Sequence, residues 1–252
     1  LMCDTGRDEY VADIAKKYDD VRTRHANRDK TNRQQGIDAA RAARYQIDWQ
    51  ATPPPKPTFL GIKTFADYDL AELVDYIDWT PFFRTWEMKG VYPAILDDPH
   101  SGEAARNLFS DAKAMLDQII AEKWLTANAV IGFWPANSIG HDDVEVYAGD
   151  DRSAVAHKLH FLRQQMLKNS GRANFSLADF IAPKETGVAD YIGGFAVTTG
   201  HKIEVKIAEF KADHDDYSAI LLEALADRLA EAFAERMHQR VRKEFWAYAD
   251  QE

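Results

Sequence analysis

The sequence has very little cysteine and no long apolar run. Cys3 is the one cysteine among 252 residues, so no internal disulfide can form. No apolar run approaches the roughly 20 residues needed to cross a bilayer, and the first residues lack the charged-then-apolar pattern of a secretory signal. These absences favour a cytoplasmic protein without membrane spans.

Signatures of common catalytic classes are also missing. The sequence contains no glycine-rich phosphate-binding motif, no H-E-x-x-H metal motif and no G-x-S-x-G nucleophile turn. Cys3 is close to a terminus that is expected to fray, where a lone thiol is seldom a nucleophile. The formal net charge of −10 disfavours nucleic acid as a partner, because phosphate backbones repel an acidic surface.

One segment departs from the acidic average. Between Lys16 and Arg44 there are nine lysines and arginines but only four aspartates. A solvated, partly helical arm is the favoured interpretation, since runs of charge usually face water. A docking patch for an acidic protein partner is the alternative.

The first 57 residues are expected to form an arm packed on the rest. Apolar residues recur every three or four positions over 8–27, which predicts a helix. The proline-rich run 51–57 is excluded from helices and central strands, because proline lacks the backbone donor and fixes φ. We therefore predict an arm and linker over 1–57 and a body over 58–252.

Periodicity within the body predicts both helices and strands. Helices are predicted at Asp69–Ile77, Ser101–Lys123, Asp151–Leu167 and Asp216–Tyr248, and strands at Val130–Trp134, Val144–Tyr147 and Tyr191–Thr198. The first two strands are expected to form a hairpin. Helices packed on an antiparallel sheet make the predicted fold class α+β.

Three local features refine these predictions. Ser101 is a candidate cap for its helix, and Pro81 argues against continued helix through Thr80. The paired glycines Gly193 and Gly194 indicate close approach of another backbone or a ligand to the third strand.

Two groups of side chains are candidate metal-binding or ligand-binding sites. His157 and His160 are three apart on a predicted helix and could share a face, but no third metal ligand is evident, so ordinary surface histidines are favoured. Asp78 lies among aromatic residues, where an unpaired carboxylate is costly. The residues alone favour a capping role for Asp78 over ligand binding.

A second acidic feature lies on the last predicted helix. Glu223, Asp227, Glu231 and Glu235 recur every four residues, which places them on one face, and Arg228 is close enough to compensate part of their charge. A solvated face is the favoured interpretation. A row of carboxylates that holds a cationic or hydroxyl-rich ligand is the alternative.

Several segments, in order along the chain, resemble one family. They are Tyr76–Phe83 (YIDWTPFF), Gly132–Asn137 (GFWPAN), Leu162–Gln165 (LRQQ), Leu177–Lys184 (LADFIAPK), Asp190–Thr198 (DYIGGFAVT), His214–Tyr217 (HDDY), Ala224–Glu235 (ALADRLAEAFAE) and Val241–Tyr248 (VRKEFWAY). On these segments the chain resembles the C-terminal activation domain of vitamin-B12-dependent methionine synthase.

The resemblance implies a fold and a role. The fold would be a C-shaped α+β domain with a bent antiparallel sheet. The domain would bind S-adenosylmethionine and present it to oxidised cobalamin held by a partner module, with flavodoxin or an equivalent reductase supplying an electron. It would thus be one part of a methyltransferase and not competent alone. The alternative is a non-catalytic module that caps the cobalamin module and recruits the reductase.

The resemblance also assigns residues. Asp78 falls on the family's ligand-binding aspartate, and Glu231 on a glutamate of the same pocket. Asp227 matches a residue thought to face the cobalamin module. Carboxylates suit this ligand, because its sulfonium and ammonium groups are cationic and its ribose hydroxyls are donors.

One departure from the family pattern concerns the ligand carboxylate. The family carries an R-x-x-x-G-Y-P segment and a later tyrosine-bearing strand, and neither occurs in this sequence. The sequence therefore predicts a truncated domain that binds S-adenosylmethionine poorly by itself, because the ligand carboxylate would lack its bidentate arginine. Micromolar binding in calorimetry would contradict this expectation.

Overall fold

The computed structural model describes residues 4–28, 34–168, 171–249 and 251, so Cys3 lies outside the described residues. The described residues form six α-helices, namely α1 (Asp4–Arg28), α2 (Ile37–Ala42), α3 (Trp79–Thr85), α4 (Gly102–Ala121), α5 (Ile203–Ala212) and α6 (Asp216–Arg240). Shorter helical turns lie at Leu70–Tyr76, Ala94–Asp97, Leu177–Phe180, Lys184–Thr186 and Val241–Phe245. None of the helices described is both long and apolar enough to cross a membrane.

Five strands form one sheet. They are β1 (Gly61–Tyr68), β2 (Thr126–Ile139), β3 (Asp143–Tyr147), β4 (Val155–His160) and β5 (Asp190–His201). The order is β1-β2-β3-β4, with β5 also paired to β2, and the β1-β2, β2-β3 and β3-β4 pairs are antiparallel. The predicted α+β class and the predicted hairpin are therefore confirmed, although β2 is longer than expected.

The chain divides into two compact units. The described residues of Leu1–Pro54 and Ala136–Asp190 make the first, and those of Pro55–Pro135 and Tyr191–Glu252 make the second. The predicted division into an arm over 1–57 and a body over 58–252 stays a prediction.

Helix α1 confirms the helix predicted over 8–27. Tyr10 is exposed, as are most residues of α1, and the charged side chains pair along the helix. Lys17 lies 2.7 Å from Asp13, and Arg22 lies 2.6 Å from Asp19. Such pairs contribute little to stability, because both partners remain solvated.

Two long helices build the core of the second unit. Both bury one stripe of apolar side chains, namely Leu108, Ala112, Leu116 and Ile119 of α4 and Leu221, Leu225, Leu229, Phe233 and Met237 of α6. These are the stripes that the helical period predicts. On α4 the first buried alanine is Ala105, while Ala104 is exposed. Helix α6 ends earlier than predicted, at Arg240, and a π-helical turn follows.

The helix starts differ in detail from prediction. The helix expected at Asp69–Ile77 is a 3-10 helix at Leu70–Tyr76, capped by the Asp69 side chain. Ser101 does not cap α4, so that prediction is wrong. Asp98 Oδ1 instead accepts hydrogen bonds from the amides of His100 and Ser101 and from Ser101 Oγ.

The helix predicted over Asp151–Leu167 is wrong. This segment contains β4, which pairs antiparallel with β3. His157 and His160 therefore point to opposite faces, because side chains alternate along a strand. His160 Nδ1 lies 2.8 Å from Asp143 Oδ1. Within the described ranges no group of three or more histidine, cysteine, aspartate or glutamate side chains is arranged to hold a metal ion.

A charged cluster lies inside the first unit. The Arg163 side chain is fully buried and donates to Asp142 Oδ1 at 2.6 Å and to both oxygens of Asp179 at 2.7 and 2.9 Å. The same guanidinium donates to the carbonyls of His141 and Asn174. All of its hydrogen-bonding directions are thus used within the protein, as a buried charge requires.

The cluster predicts a dependence of stability on pH. Burial raises the pKa of Asp142, but hydrogen bonds from Arg41 and Arg163 outweigh it, so the pKa falls below the ordinary 3.8. A carboxylate with a lowered pKa stabilises the fold above its unfolded pKa and loses that contribution as pH falls through the folded pKa. We expect the stability difference between the native chain and Asp142→Asn in urea titrations to be constant near pH 6 and to shrink below 3.8. A difference independent of pH would contradict this.

Candidate ligand-binding face

The acidic series predicted on the last helix lies on the exposed face of α6. Glu223, Asp227, Glu231 and Glu235 are all exposed, while the apolar stripe on the opposite side is buried. The spacing of four residues keeps the carboxylates on one side of the helix. This confirms the solvated face and leaves the carboxylates accessible to a ligand.

Arg228 organises two of these carboxylates. Arg228 is only 6% exposed, yet its guanidinium reaches the acidic face. Nη1 donates to Glu231 Oε2 at 2.7 Å, and Nη2 donates to Glu231 Oε1 at 3.0 Å and to Asp227 Oδ2 at 3.0 Å. The planar guanidinium therefore fixes the plane of the Glu231 carboxylate, which a lysine could not do. Free lone pairs remain on both acids for a further donor.

A groove of about 720 Å³ runs beside this row. Its apolar lining residues include Val197, Ile203, Ile207, Ile220 and Ala224. Its acidic lining residues are Glu204, Glu223 and Asp227. Glu231 and Asp78 are not among its lining residues. The structure thus brings Asp227 to the groove and places Glu231 one helical turn farther along.

The backbone beside the groove is fixed by β5. The strand predicted at Tyr191–Thr198 lies within β5 and is confirmed. Beyond it, the buried Thr199 Oγ1 donates to the carbonyl of Ala226 at 2.8 Å, which ties the end of β5 to α6 beside Asp227. Sequence reasoning missed Thr199, because its partner is 27 residues away and no local pattern marks it.

Asp78 is the N-cap of α3. Its Oδ1 accepts a hydrogen bond from the Thr80 amide at 2.9 Å, so the favoured capping role is present. The helical turn at Leu70–Tyr76 ends before Asp78, so it does not continue through Thr80, as expected. A new helix begins at Trp79, and Pro81 lies in its first turn, where proline is tolerated. Asp78 is exposed, and its Oδ2 makes no hydrogen bond within the described part of the chain.

Aromatic packing holds this cap near α6. Trp79 packs edge-on against Phe82 and Phe109, with ring centroids 5.4 and 4.8 Å apart. Phe82 is fully buried, and α3 packs directly against α6. The position of Asp78 therefore follows from the core of the second unit and not from a mobile loop.

Comparison with known proteins places this arrangement in a family. The sequence model for the activation domain of vitamin B12 dependent methionine synthase matches residues 69–252. The chain belongs to this family. The match includes α3, the groove and the whole acidic row of α6. The family resemblance stated from the sequence segments is therefore confirmed.

A solved structure of this activation-domain family agrees. The crystal structure of the MetH reactivation domain bound to AdoHcy shares 48% sequence identity with this chain at a TM-score of 0.81. The likeness covers 87% of this chain and 66% of that chain, slightly less than two thirds of its length. The α+β fold of this activation domain is thus shared with a protein that binds AdoHcy.

Proposed function

We propose that this activation domain binds S-adenosylmethionine and presents its methyl group for reductive methylation of oxidised cobalamin. The observation that carries the proposal is the pair of carboxylates, Asp227 and Glu231, that Arg228 orients. This pair lies on a chain 48% identical to a reactivation domain bound to AdoHcy. AdoHcy is what remains of S-adenosylmethionine once the methyl group has left. A cationic methyl donor suits an anionic face better than its neutral product does.

Each acidic residue receives a role in this proposal. Asp78 accepts hydrogen bonds from the ligand's ammonium and hydroxyl groups through Oδ2. Glu231, whose carboxylate plane is fixed by Arg228, accepts hydrogen bonds from the same groups. Asp227, at the groove, faces the partner module that holds cobalamin. Cobalamin held by that module would be the methyl acceptor, and flavodoxin or an equivalent reductase would supply the electron. The chain's contribution is orientation of the donor, and no acid–base group is required.

The test compares three substitutions in the full-length protein. Asp78→Asn and Glu231→Gln should each slow S-adenosylmethionine-dependent reactivation by about tenfold or more, because a charge-assisted hydrogen bond is worth about 1.5–3 kcal/mol. Methyl transfer from methyltetrahydrofolate to homocysteine should be unchanged. Glu235→Gln is the matched control, since Glu235 is exposed on the same row.

Equal rates in all three variants would contradict the proposal. That outcome would favour a non-catalytic module that caps the cobalamin module and recruits the reductase. In that case capping would depend on the groove, and Asp227→Asn would weaken association between modules without changing S-adenosylmethionine binding.

A further inference from the structure

A small cavity in the first unit has three basic residues in its lining. Its volume is about 230 Å³. Its charged lining residues are Arg44, Lys168 and Arg172, and none of the described residues that line it is a carboxylate. The chain as a whole carries a net charge of −10, so this cationic concentration departs from the surface average. The volume is several times the roughly 30 Å³ that one water occupies in the liquid, so it is large enough to admit a phosphate group.

Hydrogen bonds made by Asn174 connect the segments beside the cavity. Asn174 is 1% exposed, and its amide nitrogen Nδ2 donates to the carbonyls of Gln164 and Met166 at 2.8 and 2.9 Å. The backbone amide of Asn174 donates to the Ala43 carbonyl at 2.8 Å. These bonds connect Asn174 to Ala43, next to Arg44, and to Gln164 and Met166, which precede Lys168.

The three cations are not neutralised by described residues. Lys168 Nζ donates to the Ala173 carbonyl at 2.5 Å and to Gln164 Oε1 at 2.6 Å, and it lies 5.0 Å from the Phe175 ring centroid. These partners are uncharged, so they position the ammonium but do not neutralise its charge. The guanidinium groups of Arg44 and Arg172 make no ion pair within the described ranges.

Neighbouring Arg41 shows what a structural arginine looks like in this unit. Its Nε lies 2.7 Å from Asp142 Oδ2, inside the buried charge cluster. Arg44, three residues farther along the chain, makes no ion pair with any described residue. Like charges around a small cavity repel one another, and a bound anion removes that repulsion.

We propose that this cavity binds a phosphate-type dianion, either free phosphate or the phosphate group of a larger ligand. The guanidinium groups of Arg44 and Arg172 bind the anion's oxygens, and the Lys168 ammonium supplies a fixed charge beside them. The site lies in the first unit and does not depend on the function proposed for the acidic face of α6.

The experiment is a titration of the chain with inorganic phosphate and with adenosine 5′-monophosphate at constant ionic strength, followed by ³¹P line broadening and by thermal unfolding. We expect both probes to bind the native chain and to raise its Tm. The double variant Arg44→Gln/Arg172→Gln should lose about tenfold or more in affinity, since about 1.4 kcal/mol corresponds to a factor of ten.

Two further variants distinguish a site from general charge. Arg84→Gln removes an exposed arginine of α3 and should leave both titrations unchanged. Arg44→Lys/Arg172→Lys keeps the charge but loses the planar fork, so it should bind with intermediate affinity. No binding to the native chain, or equal affinity in the native chain and the double variant, would overturn the proposal. Tighter binding of adenosine 5′-monophosphate identifies the phosphate as part of a larger ligand.

Discussion

Replacement of Arg163 by methionine is expected to lower the free energy of unfolding by about 3–5 kcal/mol. The arginine side chain is fully buried, and its partners Asp142 and Asp179 are 10% and 2% exposed. Methionine has a similar shape, so the loss comes from the carboxylates: Asp179 loses its arginine, and Asp142 keeps only Arg41. Urea unfolding of the native chain and the variant at neutral pH measures the difference.

The matched control is Arg22→Met on α1. Arg22 also pairs with an aspartate at 2.6 Å, but both side chains are more than two-thirds exposed. Water replaces the lost partner there, and the expected change is at most about 1 kcal/mol. Equal losses for Arg163→Met and Arg22→Met would show that burial does not determine the value of these pairs.

Helix α6 and its acidic face were predictable because the pattern is local. Leu221, Leu225 and Leu229 repeat every four residues, so one face must be buried and the opposite face must carry Asp227 and Glu231. The compensating role of Arg228 followed from the same spacing. What the helical period did not show is that Arg228 is itself nearly buried.

Strand β4 was not predictable in the same way. Val155, Leu159 and Leu162 have helical spacing, and β4 is exposed along its whole length, so it lacks the alternating pattern of a half-buried strand. Its conformation comes from backbone pairing with β3, such as Val144 with Leu159. Pairing between separate segments overrides local preference.

The buried charge cluster was invisible for a related reason. The partners of Arg163 are Asp142 and Asp179, which are 21 and 16 residues away along the chain. Sequence patterns relate each charged residue only to its neighbours along the chain. Only the fold shows that these three charged side chains are buried together.

The paired glycines of β5 provide a sharper test of local packing. A Cβ built on Gly193 would lie 2.6 Å from two ring carbons of Phe133 and 3.4 Å from the Trp246 ring. Gly193 is therefore closely approached, but by aromatic side chains, so the predicted approach of another backbone or a ligand is wrong there. A Cβ on Gly194 would meet nothing within 4 Å.

We expect Gly193→Ala to lower the free energy of unfolding by about 1–3 kcal/mol, the usual cost of overpacking a core. The ring of Phe133 has no room to retreat, because Phe59 and Trp246 pack edge-on against it with centroids 5.1 and 5.3 Å away. Gly194→Ala adds the same methyl group one residue along the strand. It should be neutral or stabilising by up to about 1 kcal/mol, since alanine restricts the unfolded chain.

The two substitutions separate sterics from backbone propensity. Both replace glycine by alanine in the same strand, so any general effect of removing a glycine is common to both variants. The difference between them in urea unfolding therefore reports the clash with Phe133. Phe133→Leu in the Gly193→Ala background should recover part of the loss, because leucine lacks the planar ring that the new methyl group meets. Equal stability of the two alanine variants would mean that the Phe133 ring moves freely, and the close packing of β5 on this core would then not be rigid.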